Sequence, residues 1–336
     1  VMPPWWGQIP DIEPIQGVLP VNQLAQSGGV AKEFQSGSPG KLTIIKAIPH
    51  IFCKFAASEL ESKNNVLMNG KKILFVSSEL APYLPQNPVS QMSYEAPRMV
   101  NSKGGEIRIF MPKYGIINER RHQLHEVIRL SGMNMVVNDM DMPLIIKVAS
   151  IPKERIQVYF IDNEEYFKRK YTFKDVEGCM YDDNDERAIF FAKGVVETVK
   201  KLNWIPDIIH VHGWMASLLP LYLRKYYADE PLFAESRIVT SVYAPDFEGT
   251  LSDCMRKKIA FDGIDEASIA CLEHPDYNNL LKVAVDHSDA VILATEEIHP
   301  DLLAHIESLD KPILPYVPFH EFEEAYAGFY NTKVLK

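Results

Sequence analysis

The sequence predicts an α/β fold, a mostly parallel sheet flanked by helices. Three observations carry this. Short continuous apolar runs such as Ile73–Val76 suit strands buried on both faces. One long segment after Asp183 has strict helical periodicity. Strand-like and helix-like segments then alternate from about Met68 to the end, as βαβ units require.

The elements follow in order. Ile73–Val76 is the first strand and Ile107–Met111 the second. Leu144–Ala149 and Ile156–Ile161 form a strand pair. In the long helix, Ala188, Phe191, Ala192, Val195, Val196, Val199 and Leu202 make one apolar stripe, and Asp183 or Asn184 is placed to cap its first turn. Asp207–Val211 is a strand, Met215–Tyr226 a helix, and Ile238–Tyr243 a strand. Leu280–Val285 starts a helix. Ala290–Ala294, Glu296–Ile306 and Ile313–Val317 close the pattern as strand, helix and strand.

Composition narrows the function. The 336 residues carry 45 acidic and 35 basic side chains, a net charge of −10. An acidic chain lacks the electrostatic footprint of a nucleic-acid binder, and anionic membrane surfaces repel it. The longest apolar candidate, Leu42 to Ala57, is broken by Lys46, Pro49, His50 and Lys54, so no spanning segment is expected. Cysteines 53, 179, 254 and 271 fit neither a disulfide framework nor a zinc site. Free thiols and the absence of a signal peptide point to the cytoplasm. Residues 1–67 are rich in Pro, Gly, Gln and Ser and show no long period, so they read as an N-terminal extension before a domain spanning 68–336.

In parallel sheets ligands sit beyond the carboxyl ends of strands. The loops to weigh are therefore Ser77–Ser90, His210–Trp214 and Tyr243–Gly249, with the helix start at Tyr181–Arg187. Glu79 ends the first strand, where a carboxylate can accept sugar hydroxyls; taken alone it reads as a solvated loop acid. The run Tyr181–Arg187 holds four acids, but without calcium-loop spacing. Dipole and capping preferences account for Asp185 and Glu186, while Asp183 has room for both capping and chemistry. His210 and His212 share a strand face. With no third ligand by spacing, they read as a polar pair rather than a metal site. Trp214 opens the helix that follows.

Five segments lie in one order: I-L-F-V-S-S-E-L-A-P-Y (73–83), F-M-P-K-Y-G (110–115), Y-D-D-N-D-E-R (181–187), P-D-I-I-H-V-H-G-W (206–214) and N-L-L-K (279–282). Together they resemble the N-terminal catalytic domain of glycogen and starch synthases, glycosyltransferase family 5, over about residues 71–310. The resemblance implies a Rossmann-like domain equivalent to the N-terminal half of the GT-B architecture. It implies transfer of glucose from ADP-glucose to an α-1,4-glucan, with no cofactor or metal. Asp183 and His212 are then catalytic. Glu79, Asn184, Arg187, His210, Trp214, Tyr243 and Lys282 are substrate-binding.

The departures are equally specific. Where the family reads K-T-G-G, this chain has Pro85-Gln86-Asn87-Pro88, which lacks a cation and two backbone donors for phosphate. Gly213 replaces the Asp of H-D-W, and Ser241–Ala244 replaces T-I-H-N. After Val317 only 19 residues follow, so a second chain completing the cleft is expected. Two readings stay open: a glucosyltransferase, or a non-catalytic relative that binds glucan or a protein partner.

Overall fold

The computed structural model describes residues 68–152 and 154–335. The readings of residues 1–67, including Leu42–Ala57 and Cys53, lie outside the described residues.

The strands are β1 (Lys72–Ser77), β2 (Glu106–Pro112), β3 (His125–Glu126), β4 (Met133–Val137), β5 (Met140–Ile151), β6 (Ile156–Asp162), β7 (Ile208–His212), β8 (Arg237–Val242), β9 (Ala290–Leu293) and β10 (Ile313–Leu314). They form one ten-stranded sheet in the order β10-β9-β8-β7-β1-β2-β6-β5-β3, with β4 on β5. From β10 to β6 every neighbour is parallel, and β5 runs antiparallel to β6 and β3. The β5–β6 pair is the one read from sequence.

The helices are α1 (Pro88–Ser102), α2 (Glu119–His122), α3 (Glu164–Phe167), α4 (Asn184–Leu202), α5 (Leu219–Arg224), α6 (Met255–Phe261), α7 (Tyr277–Asp286), α8 (Pro300–Ser308) and α9 (Phe322–Phe329). Helices α1, α2, α3, α6 and α9 were not expected from sequence, and the helix expected over Glu296–Ile306 begins at Pro300 as α8. The helix expected over Met215–Tyr226 is a 3₁₀ turn at Trp214–Ala216 followed by α5. Pro220 sits in the first turn of α5, where its missing N–H costs nothing. Helix α1 has Pro97 in its interior. Its start, however, is well marked. The Asn87 side chain accepts from the Ser90 amide at 2.8 Å, the Ser90 hydroxyl accepts from the Asn87 amide at 2.9 Å, and Pro88 fills the first position.

Chain order fixes where a crevice opens. After β1 the chain adds β2 on one side and returns at β7 on the other. The order therefore reverses at β1–β7, and the loops at the carboxyl ends of these two strands diverge there. Those loops carry Glu79 and Gly213. Helix α4 packs over this region and is buried on nearly all sides, Lys193 and Gly194 included.

Candidate sugar site at the β1–β7 switch point

The strand ends are joined first through Ser78. Its amide donates to the His212 carbonyl at 2.9 Å, and its hydroxyl accepts from the Met215 amide at 2.9 Å. Gly213 makes this crossing possible. Its φ is +78°, and a Cβ there would lie 2.6 Å from the Ser78 hydroxyl. A side chain at this position would force Ser78 to move.

Glu79 is 8% exposed, and its carboxylate accepts the Asn87 side-chain amide. Burial pushes its pKa from 4.5 up to about 7; the Asn87 bond opposes the rise and nearby Asp246 adds to it. A carboxyl that titrates near neutrality both accepts from and donates to ligand hydroxyls. Asn87 is thus used twice, once to hold Glu79 and once to cap α1. The N-terminus of α1 is closed by its own side chain, and this leaves less for a phosphate than an uncapped terminus offers.

Tyr114, fully buried after β2, links the loops. Its hydroxyl donates to the Ser78 carbonyl at 3.1 Å. Its ring meets Phe173 at 5.4 Å, and Phe173 meets Trp214 at 4.9 Å. Trp214 continues to Phe247 at 5.2 Å, and Phe247 to Tyr277 at 5.8 Å. Trp214 is therefore part of an aromatic wall. Its Nε1 has no hydrogen-bond partner among the described residues. Asp246 is open to solvent.

Arg187 is fully buried under this wall and lies over the rings of Tyr114, Phe167 and Tyr181. It donates to Asn184 Oδ1 at 2.5 Å and to the Thr172 carbonyl at 2.7 Å, and its Nε has no partner among the described residues. Burial lowers its pKa to about 10, so it stays charged at neutral pH. Asn184 in turn donates to the Phe173 carbonyl at 2.9 Å. Asn184 and Arg187 thus brace the 172–173 backbone.

Asp183 occupies the N-cap position of α4, but its side chain makes no capping bond. It is instead gripped by Arg169, Nη1 to Oδ1 at 2.6 Å and Nη2 to Oδ2. Gly115 allows this, because a Cβ there would sit 2.2 Å from the Arg169 carbonyl. Asp185 and Glu186 pair with Lys258 at 2.7 and 2.9 Å.

His210 and His212 do share one face, with ring centroids 3.9 Å apart and both rings fully buried. His212 Nδ1 is 2.7 Å from the Tyr243 hydroxyl, and its Nε2 has no partner among the described residues. Burial lowers its pKa to about 3, so it is neutral. His210 lies between Ser241 at 2.8 Å and Tyr330 at 2.7 Å. Tyr243 is buried and spends its hydroxyl on His212. Lys282, half-buried on α7, makes no hydrogen bond or ion pair with the other candidates.

Arg187 and, through Phe173, Trp214 thus pack toward Tyr114, whose hydroxyl bonds the Ser78 carbonyl next to Glu79, and His212 joins through the Ser78 amide. Asn87, Tyr114, Arg169, Asp246 and Tyr330 were not among the residues singled out from sequence. Asn87 before Pro88 is a readable cap. Tyr114 stood inside a recognised segment. Arg169, Asp246 and Tyr330 carry no local signal.

Residues 72–310 match the family model described as the starch synthase catalytic domain. The chain belongs to the starch synthase catalytic domain family. The glycogen synthase of Chlorobium limicola is 37% identical over 231 residues, 68% of this chain and 46% of that protein. The glycogen synthase of Chlorobium luteolum is 36% identical over 237 residues, covering 70% and 48%. The chain therefore spans about half the length of the curated relatives it matches. Among solved structures, the catalytic domain of starch synthase IV from Arabidopsis thaliana, bound to ADP and acarbose, aligns with a TM-score of 0.60 at 17% identity, over 74% of this chain and 52% of that one. This likeness supports the fold: a Rossmann-like α/β domain corresponding to one half of a GT-B enzyme.

Proposed function

We propose that the chain provides the N-terminal half of a glycogen- or starch-synthase-type glucosyltransferase, acting between ADP-glucose and an α-1,4-glucan. The observation that carries this reading is the joining of the β1 and β7 loops at the switch point, where Ser78 bonds His212 and Met215 and Tyr114, which bonds Ser78, lies beneath Arg187. Glu79, near its titration point at neutral pH, exchanges hydrogen bonds with hydroxyls. Asp183, held by Arg169, supplies a fixed carboxylate at the mouth of α4. Transfer of this kind depends on positioning and electrostatics, and a metal is not required by the residues named. The cytoplasm is the compartment in which we place the protein.

One observation favours a second reading, a glucan-binding relative that does not use the nucleotide. The Pro85–Pro88 loop turns its polar groups inward: Asn87 caps α1 and holds Glu79, and the Ser90 hydroxyl donates to the Pro85 carbonyl at 2.9 Å. Calorimetric titration separates the two. Heat with ADP-glucose that Asp183→Ala abolishes supports the transferase. Heat with maltooligosaccharide alone supports the binder. Silence with both ligands overturns both readings.

A further inference from the structure

The aromatic wall of the candidate site is seated by two separate stretches of chain. On one side, Asn184 in the first turn of α4 donates to the Phe173 carbonyl at 2.9 Å, and Arg187 donates to the Thr172 carbonyl at 2.7 Å. The Phe173 ring meets Trp214 at 4.9 Å. On the other side, Phe247, in the loop after β8, meets Trp214 at 5.2 Å. Trp214 is 1% exposed. Its seat therefore depends on how far apart Phe173 and Phe247 are held.

The chain from Phe247 leads into α6. On the way the Leu251 amide donates to the Pro275 carbonyl at 3.0 Å, and within α6 the Lys258 amide donates to the Cys254 carbonyl at 3.0 Å. Helix α6 then returns to the first stretch. The Lys258 ammonium forms ion pairs with Asp185 Oδ2 at 2.7 Å and Glu186 Oε1 at 2.9 Å. These two acids lie between Asn184 and Arg187. The other Glu186 oxygen accepts the Tyr166 hydroxyl at 2.9 Å. The contacts close a ring: the first turn of α4, Phe173, Trp214, Phe247, α6, and back to α4 through Lys258.

Charge makes Lys258 the closing member. The Asp185 side chain is fully buried, and those of Lys258 and Glu186 are each 13% exposed. Two consecutive carboxylates share this one ammonium, and among the described residues no other cation pairs with either. Without it they would repel with little water to screen them, and burial already raises the Asp185 pKa. The α4 dipole favours acids at this end, but by less than a buried unpaired charge costs.

We propose that Lys258 is a positioning residue for the candidate site: by pairing with Asp185 and Glu186 it fixes the spacing of the α4 and Phe247 stretches, and with it the seat of Trp214. It acts through Phe173 and Phe247. This deepens the sugar-site reading and rests on it only for what the wall receives.

Fluorine NMR of the full chain labelled with 5-fluorotryptophan tests the ring without a ligand, and Trp214→Phe and Trp204→Phe assign the two signals. Lys258→Met should shift and broaden the Trp214 signal. The Trp204 signal should stay, because that side chain lies beyond the far end of α4 and is held by Glu106 at 2.6 Å. Lys258→Arg, which keeps a cation for both acids, should return the Trp214 signal to the parent position. Maltooligosaccharide affinity should fall about fivefold or more in Lys258→Met, the factor that loss of one hydrogen bond corresponds to, and recover in Lys258→Arg. An unmoved Trp214 signal in folded Lys258→Met, or an equal displacement in Lys258→Arg, overturns the proposal. If Lys258→Met does not fold, hydrogen exchange of the parent decides. The Arg187 and Lys258 amides should then share one protection level, because the ring opens as a unit, and separate levels overturn it. A parent that binds no maltooligosaccharide sinks the sugar-site reading and leaves the fluorine result standing.

Discussion

The Glu79 carboxylate accepts the side-chain amide of Asn87, the same residue whose Oδ1 caps α1. One side chain therefore ties the end of β1 to the start of the next helix. Asn87→Ala should cost about 1 kcal/mol for the cap. It should also raise the Glu79 pKa further, because the bond that opposes burial is gone. Chemical denaturation measures the first effect, and carboxyl-labelled NMR titration the second.

Glu79 also sets a pH dependence of unusual sign. Its folded pKa, about 7, stands above its ordinary 4.5. Between these values the unfolded chain loses the proton first, so stability falls as pH rises from about 4.5 to 7 and is level above. The full effect is about 3 kcal/mol at 1.36 kcal/mol per unit. Glu79→Gln removes the titration. Its unfolding free energy should exceed the parent's at pH 8 and match it near pH 4, which urea melts at the two pH values would show.

Gly213 holds a positive φ directly against Ser78. Gly213→Asp should destabilise the chain, by about 1–3 kcal/mol, through a strained positive φ and contact with Ser78. Ser78 cannot yield freely, since its hydroxyl holds the Met215 amide. A thermal melt equal to the parent's would show that the β1–β7 crossing has more slack than its distances imply.

Lys193 and Asp262 form a buried pair at 2.7 Å, with Lys193 also donating to the Val136 carbonyl and Tyr222 to Asp262. Removing one partner strands the other charge. Lys193→Met should cost about 3–5 kcal/mol, while Lys193→Met with Asp262→Leu should recover much of it. Denaturant midpoints of the three variants test the asymmetry.

Arg169 grips Asp183 with both guanidinium nitrogens. Arg169→Lys keeps the charge but loses the fork, and should cost about 1 kcal/mol. Backbone amides near residues 169–183 should exchange faster in that variant. Equal exchange would show that the Gly115 contact alone holds the loop.

The alternation of strands and helices was legible because periodicity is local. A strand repeats every second residue and α4 every three or four, so Ile73–Val76 and the Ala188–Leu202 stripe declare themselves without the rest of the chain. The family followed from five segments in sequence, whereas the sheet order that creates the β1–β7 switch point came from the folded chain. Within α4, though, the apolar stripe marked one face only. Burial on the other sides, Lys193 included, depends on what packs there.

The sequence by itself determined the α/β class, the order of elements, the family, and which loops lie at the carboxyl ends of β1 and β7. Tertiary structure alone decided how the polar residues are used: Asn184 and Arg187 as braces, Asp183 as Arg169's partner, Tyr243 as His212's. The physical reason is separation along the chain. Arg169 and Asp183 are 14 residues apart, Lys193 and Asp262 69, and His210 and Tyr330 120. A hydrogen bond that closes across such intervals leaves no period in the residues between, so only the folded chain shows which polar group is free for a ligand and which is already spent.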